Sequence, residues 1–386
     1  MASVLVALAA AYFAPCGALA VTTLYQENFD SLQLQPSVDE IFPFPRAFTH
    51  QAPPGWIRDA SDVPGVNSPD VGVFEWEGWS FAHREFWTDV NKLPSGAPSG
   101  REEFHLGQGT IAVADPDSWN DLGDPANTLG FYNTFLTTPR LPLDVVESEE
   151  QLRLVFDSSW KGGCCDDGEE FDPNGNNQTG VIRVRTFDAN NTFINDFEVL
   201  RWESDPANPP LPGEGIVKTD NFNERVYVDL LDLGGVSLSE LVAAASTGGA
   251  ASFEVEFGME DAGDDGWWGV DNVEMAAYSL LLGDMNLSGD LDAGDIDDFA
   301  LALLDFDAYR MKNYGEFPVT RGSLDGRFDF DDIDWFVGLM EGKGFSSVSQ
   351  SLSYALAGVP EPSSGAIALV AIGAAGVRRR LGPRDR

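Results

Sequence analysis

Twelve consecutive residues, 284–295, place oxygen-bearing side chains at loop positions one, three, five, nine and twelve: Asp284, Asn286, Ser288, Asp292 and Asp295. That spacing suits a hard divalent cation. Calcium takes six to eight oxygens at about 2.3–2.6 Å, and a chain that wraps them around one ion must turn sharply at its sixth residue. Gly289 occupies the sixth position, Asp290 would offer its main-chain carbonyl from the seventh, and apolar Leu291 follows. Ile296, Phe299, Ala300 and Leu303 then recur at helical spacing, so the twelfth ligand should open a helix that packs by its apolar face.

The unit repeats 37 residues on, from 284 to 321. Ser323, Asp325, Gly326, Phe328, Asp329 and Asp332 stand at positions 3, 5, 6, 8, 9 and 12, and Ile333, Phe336, Val337 and Met340 match the helix. The first position is Arg321, which removes a carboxylate and repels a cation, so the second loop is expected to bind calcium weakly or not at all. Paired loop-then-helix units without the leading helix of an ordinary EF-hand resemble dockerin type I domains, over residues 283–342. The resemblance implies a small α-helical, EF-hand-like calcium module at 281–343. Its role would be either to bind a cohesin-like partner domain or to act as an intramolecular calcium clip.

Other residue groups offer less. Cys164 and Cys165 are adjacent; in an oxidising compartment they either close a strained eight-membered ring or stay reduced. None of His50, His83 and His105 is near them in sequence, so a catalytic thiol is not expected. The acidic stretch 164–172, with Asn174, Asn176 and Asn177, fits no defined cation spacing and reads as a plain loop. Glu254, Glu256 and Glu260 approach the acid spacing of laminarinase-type glucanases without meeting it, and read instead as solvent-facing acids flanking buried Phe253, Val255 and Phe257. Trp56, Trp76, Trp79, Phe81, Phe86 and Trp87 would stack on sugar rings if exposed; packing in the core or under loops is the preferred reading.

The elements that must carry these residues are mostly strands. Residues 110–114, 151–156, 181–187, 225–230 and 252–257 alternate apolar and polar, and Gly, Pro, Asn and Asp separate them. Apart from 238–245, helical periodicity is absent before residue 281, which predicts antiparallel sheets packed as a sandwich over 21–280. The domain opens with residues 26–30 (QENFD) and closes with 258–273 (GMEDAGDDGWWGVDNV), and these ends resemble concanavalin A-like and carbohydrate-module jelly rolls. The resemblance implies contact with polysaccharide and a structural calcium held by Glu27 and Asp271.

Both termini suggest export. Residues 4–14 are apolar and Ala18-Leu19-Ala20 makes a small-x-small cleavage site, which reads as a signal peptide over 1–20 rather than a buried N-terminal helix. After a Ser-rich linker, 344–358, come Val359, Pro360, Glu361 and Pro362, an apolar run at 365–377, and Arg378, Arg379 and Arg380. This three-part segment, 359–386, resembles a PEP-CTERM sorting signal. It implies transient contact with the inner membrane, recognition by exosortase-type machinery, and delivery to the cell surface or extracellular matrix of a Gram-negative-type bacterium. A plain membrane anchor is the alternative, against which the short apolar run counts. The order of sandwich, dockerin-like unit and sorting tail is similar to exported proteins of planctomycete-type bacteria.

Composition agrees with these readings. With 43% apolar residues and ten Trp the chain can fill a core, and at a formal charge of −40 it is no nucleic-acid binder. A non-catalytic surface protein that binds calcium and contacts polysaccharide is the leading expectation. A secreted glycoside hydrolase and a purely structural matrix protein are the alternatives.

Overall fold

The computed structural model describes residues 21–40, 43–90, 92, 99–125, 129–143, 150–163, 178–204, 215–230, 250–279, 281–313 and 328–358. The expected signal peptide, Cys164 and Cys165, the stretch 238–245, Arg321, Ser323, Asp325 and the segment 359–386 lie outside them. The described residues form mainly strands, arranged as two sheets face to face.

In the first sheet the order is β12 (Asn221–Asp229), β8 (Glu150–Lys161), β14 (Trp267–Ser279), β5 (Thr110–Ala114), β4 (Ser80–His83) and β2 (Phe48–Thr49). Strand β14 is long enough to pair along one edge with β5 through Trp268 to Val270 and then with β1 (Val21–Glu27) through Val273 to Tyr278. The second sheet runs β11 (Ile216–Val217), β10 (Phe193–Glu203), β9 (Thr179–Phe187), β13 (Ser252–Ala262), β6 (Tyr132–Thr137) and β3 (Ile57–Asp59), with β7 (Leu141–Pro142) also on β13. Among the described residues all strand pairings are antiparallel except the two-residue β10–β11 pair.

Alternation puts one set of side chains between the sheets. From β13 come Phe253, Val255, Phe257 and Met259; from β8, Leu152, Leu154, Phe156 and Trp160. Trp268 is their hub, packing against Trp79, Phe156, Trp160, Trp202 and Phe257 with ring centroids 5.5–6.2 Å apart. The aromatic cluster of residues 56–87 is buried as well: Trp76, Trp79, Phe81, Phe86 and Trp87 are fully covered and Trp56 is 6% exposed, so none serves as an open sugar platform.

The outer faces are less solvated than alternation alone predicts. Every residue of β5 is buried, and on the neighbouring β14 Trp87 of α1 (Arg84–Val90) and Phe104 approach Gly269. Arg101, itself buried, is held by Asp115 at 2.9 Å and Asp117 at 2.7 Å and lies 4.1 Å from the ring centroid of Trp267. Asp115 in turn caps α2 (Pro116–Asn120) by accepting from Ser118 N. On the second sheet Glu254 and Glu256 do point away from the core, yet they are not solvent-facing. Arg140 covers Glu254 at 3.2 Å, and Arg185 and Arg183 reach Glu256 at 2.5 and 3.7 Å. A long guanidinium stem on the neighbouring strand buries an acid that strand periodicity places outside.

Beyond residue 281 a separate core forms between α3 (Gly294–Leu304), α4 (Phe306–Lys312), α5 (Asp332–Gly342) and α6 (Val348–Gly358). Its centre joins two residues one repeat apart. Phe299 and Phe336 stack at 4.1 Å and 14°, and both are fully buried. Helix α6 falls inside the stretch expected to be a linker, 344–358, and buries Val348 and Leu352 in this core.

Candidate functional site

The loop 284–295 folds around its first and twelfth residues. Asp284 accepts from Ser288 N at 2.8 Å and Gly289 N at 2.9 Å, and Asp295 accepts from Asn286 N at 3.2 Å and Asp292 N at 2.7 Å. Both carboxylates are fully buried. Gly289 at the sixth position has φ +85°, the left-handed geometry glycine adopts without strain, and this reverses the chain. Leu287 also takes positive φ, at 56°, and is buried. Between the two anchors, Asn286 donates to Asp292 at 3.2 Å and the Ser288 hydroxyl donates to the carbonyl of Asp290 at 3.0 Å. Helix α3 starts at Gly294, so Asp295 sits in its first turn as the spacing predicts.

A cation fits the chemistry of this loop. Burial, and then the charges of Asp284 and Asp292, push the Asp295 carboxyl up to about 7, although two N–H groups pull it the other way. A divalent ion would remove that penalty. Among the described residues no three His, Cys, Asp or Glu side chains converge as a metal cluster. The oxygen donors along the loop are the carboxylates of Asp284, Asp292 and Asp295, the amide of Asn286, the hydroxyl of Ser288 and the carbonyl of Asp290, a mixture of the kind calcium accepts, and an ion would have to draw them closer than they stand here.

Of the second loop, only its end is described. Asp332 accepts from Asp329 N at 2.8 Å, and Asp329 accepts from Asp331 N at 2.8 Å. These bonds repeat those of Asp295 and Asp292 one unit earlier, the latter accepting from Gly294 N at 2.6 Å. Asp332 is buried, at the start of α5.

Asp271 and Glu27 have different surroundings. Asp271 is 1% exposed and accepts from Gln108 N at 2.9 Å and Asn272 N at 2.7 Å. Burial raises it to about 7, and the charges of Asp157 and Asp30 add to the rise. Glu27 closes β1 opposite Val273, half-buried, and accepts from Phe29 N at 2.8 Å. Asp271 is thus gathered with Asp157 and Asp30, two acids that terminal-strand resemblance did not single out.

The helical module rests on the outer face of the first sheet. Tyr227 of β12 donates to the carbonyl of Met311 in α4 at 3.0 Å, and Arg310 lies near Arg153, Tyr227 and Asp229. A cleft of about 710 Å³ opens along this seam. Its sheet side carries Gln26, Glu27 and Asn28 at the end of β1 and Asn272 and Glu274 of β14. Its other walls carry Arg225 and Tyr227 from β12 and Met311 and Lys312 from α4. No periodicity argument could find this cleft, because it exists only once the two units meet.

No family model matches this chain, and no curated protein matches it. Among solved structures, a cyclase from Fischerella sp. TAU is 13% identical, covering 67% of this chain and 98% of its own, with TM-score 0.33. The K3 cleaved adhesin domain of Lys-gingipain from Porphyromonas gingivalis is 12% identical over 66% and 98%, with TM-score 0.29. The CBM22-1 xylan-binding domain of Paenibacillus barcinonensis Xyn10C is 9% identical over 68% and 99%, with TM-score 0.29. Likenesses this remote transfer neither ligand nor activity to this chain.

Proposed function

We propose that this is an exported, non-catalytic surface or matrix protein that binds one calcium ion in the loop 284–295 and contacts polysaccharide through its β-sandwich. One observation supports it above the others: Asp284 and Asp295 are buried, and each accepts backbone N–H groups from within the one loop that turns at Gly289. When bound, calcium would supply charge neutralisation at these carboxylates, with Asn286, Ser288, Asp292 and the Asp290 carbonyl completing the oxygen set. The second repeat then serves the module through α5 rather than through a second ion. A dockerin-like role, a signal peptide at 1–20 and a PEP-CTERM-type tail at 359–386 belong to the same reading.

The acids of the second sheet favour binding over chemistry. Glu254 and Glu256 are held by Arg140, Arg183 and Arg185, and Glu260 meets Arg183 at 2.6 Å. A glycosidase needs one such acid protonated to give up its proton, and an arginine beside each carboxylate favours the ionised form of all three.

Thermal unfolding of the whole chain with and without a chelator, beside a glycan array and a chromogenic glycoside screen, tests this reading. A melting transition raised by calcium, with glycan binding and no turnover, is the expected result. Turnover of a glycoside would replace it with the hydrolase reading, and indifference to calcium would remove its metal half.

A further inference from the structure

The seam cleft is not used by the calcium loop, and its chemistry is specific enough to name a ligand class. At about 710 Å³ it falls within the 300–1,000 Å³ typical of ligand sites, which concentrate where two units meet. Its cations are already engaged. Arg225 is taken by both oxygens of Asp157 at 2.8 and 3.0 Å, and Lys312 is paired with Asp298. Its acids are not: among the described residues neither Glu27 nor Glu274 has an ion-pair partner, and Glu274 accepts only the Thr23 hydroxyl at 2.7 Å. Arg225 lies within electrostatic reach of Glu274 but is committed to Asp157, so an anionic ligand would still meet net negative charge.

Hydrogen-bonding capacity is left over as well. The side chains of Gln26 and Ser31 make no hydrogen bond among the described residues, and exposed Asn28 beside them uses one amide N–H on Asp30 at 3.4 Å and keeps the other. Tyr227 lines the same cleft with its hydroxyl tethered to Met311, which fixes the ring as a flat apolar surface. Amides and carboxylates that exchange hydrogen bonds with neighbouring hydroxyls, next to one fixed aromatic ring, suit a neutral sugar chain.

We infer that the seam cleft between the first sheet and helix α4 binds a neutral oligosaccharide. This rests on the polysaccharide contact proposed above and places it at Gln26, Asn28, Tyr227 and Glu274, away from the open face of the second sheet.

Titration calorimetry of the whole chain with xylohexaose, cellohexaose, laminarihexaose and trigalacturonate tests it. At least one neutral hexasaccharide should bind, and trigalacturonate should not. Gln26→Ala with Glu274→Ala should weaken binding tenfold or more, while Asp196→Ala on the outer second sheet changes it less than twofold. Should the double variant fail to fold, Gln26→Ala alone replaces it, with a loss of about threefold expected. Neutral binding untouched by the cleft variants, or lost with Asp196→Ala, overturns the cleft but leaves polysaccharide contact standing. No binding of any neutral hexasaccharide removes both, and preference for trigalacturonate overturns the charge argument.

Discussion

Phe336 lies in the repeat whose first loop position is an arginine, yet its removal should weaken calcium binding in the other repeat. Its ring stacks on Phe299 at 4.1 Å with both side chains fully buried, and Phe299 also meets Phe328 edge-on at 5.1 Å. Truncating a buried Phe to Ala typically costs about 3–5 kcal/mol, and a core this small supplies about as much stability in total. Phe336→Ala should therefore leave the module between mostly folded and mostly unfolded. Calcium affinity falls by the competent fraction: about twofold where the two terms cancel, and up to about thirtyfold where the loss exceeds the stability by about 2 kcal/mol. Asp332→Ala removes only a carboxylate of the second loop and should change affinity less than twofold. Calorimetric calcium titration of the three whole proteins, with circular dichroism to follow helix content, measures both effects. An unchanged affinity in Phe336→Ala, or an equal loss in Asp332→Ala, would refute the view that the second repeat acts as a scaffold.

Two further perturbations probe the sandwich. Arg101→Met should destabilise it by about 3–5 kcal/mol in urea unfolding, since buried Asp115 is left without its charge partner. Adding Asp115→Asn should recover part of that loss, and a double variant worse than the single one would contradict this. Glu40 accepts from Trp76 Nε1 at 2.6 Å, and burial raises its carboxyl from 4.5 to about 7. The folded state then holds a proton that the unfolded chain has released, so Glu40 makes stability fall as pH rises from about 4.5 to about 7. Glu40→Gln should lessen that decline by up to about 3 kcal/mol, and an identical pH profile in the variant would rule the effect out.

Strand periodicity made much of this fold legible. β5, β8, β9, β12 and β13 sit where alternation puts them, because an inward residue on one strand faces an inward residue on the next. Alternation fails where tertiary cover decides exposure: the outward Glu254 and Glu256 are buried by arginines of other segments, and every residue of β5 is buried whichever face it occupies. Helix α6 was hidden by its serines, although Val348, Leu352 and Leu356 repeat every fourth residue and carry the signal. The first calcium loop was readable because its ligands are local in sequence. The environment of Asp271 was not, since Gln108 and Asp157 reach it from distant segments. The seam cleft depends likewise on where α4 lands.

Calcium titration of the whole chain beside its Asp295→Ala variant decides whether residues 284–295 hold the ion. One dominant site in the parent chain, abolished by the substitution, is the predicted result. Two equal sites would contradict the reading of Arg321, and a site that survives Asp295→Ala would contradict the assignment of calcium to residues 284–295.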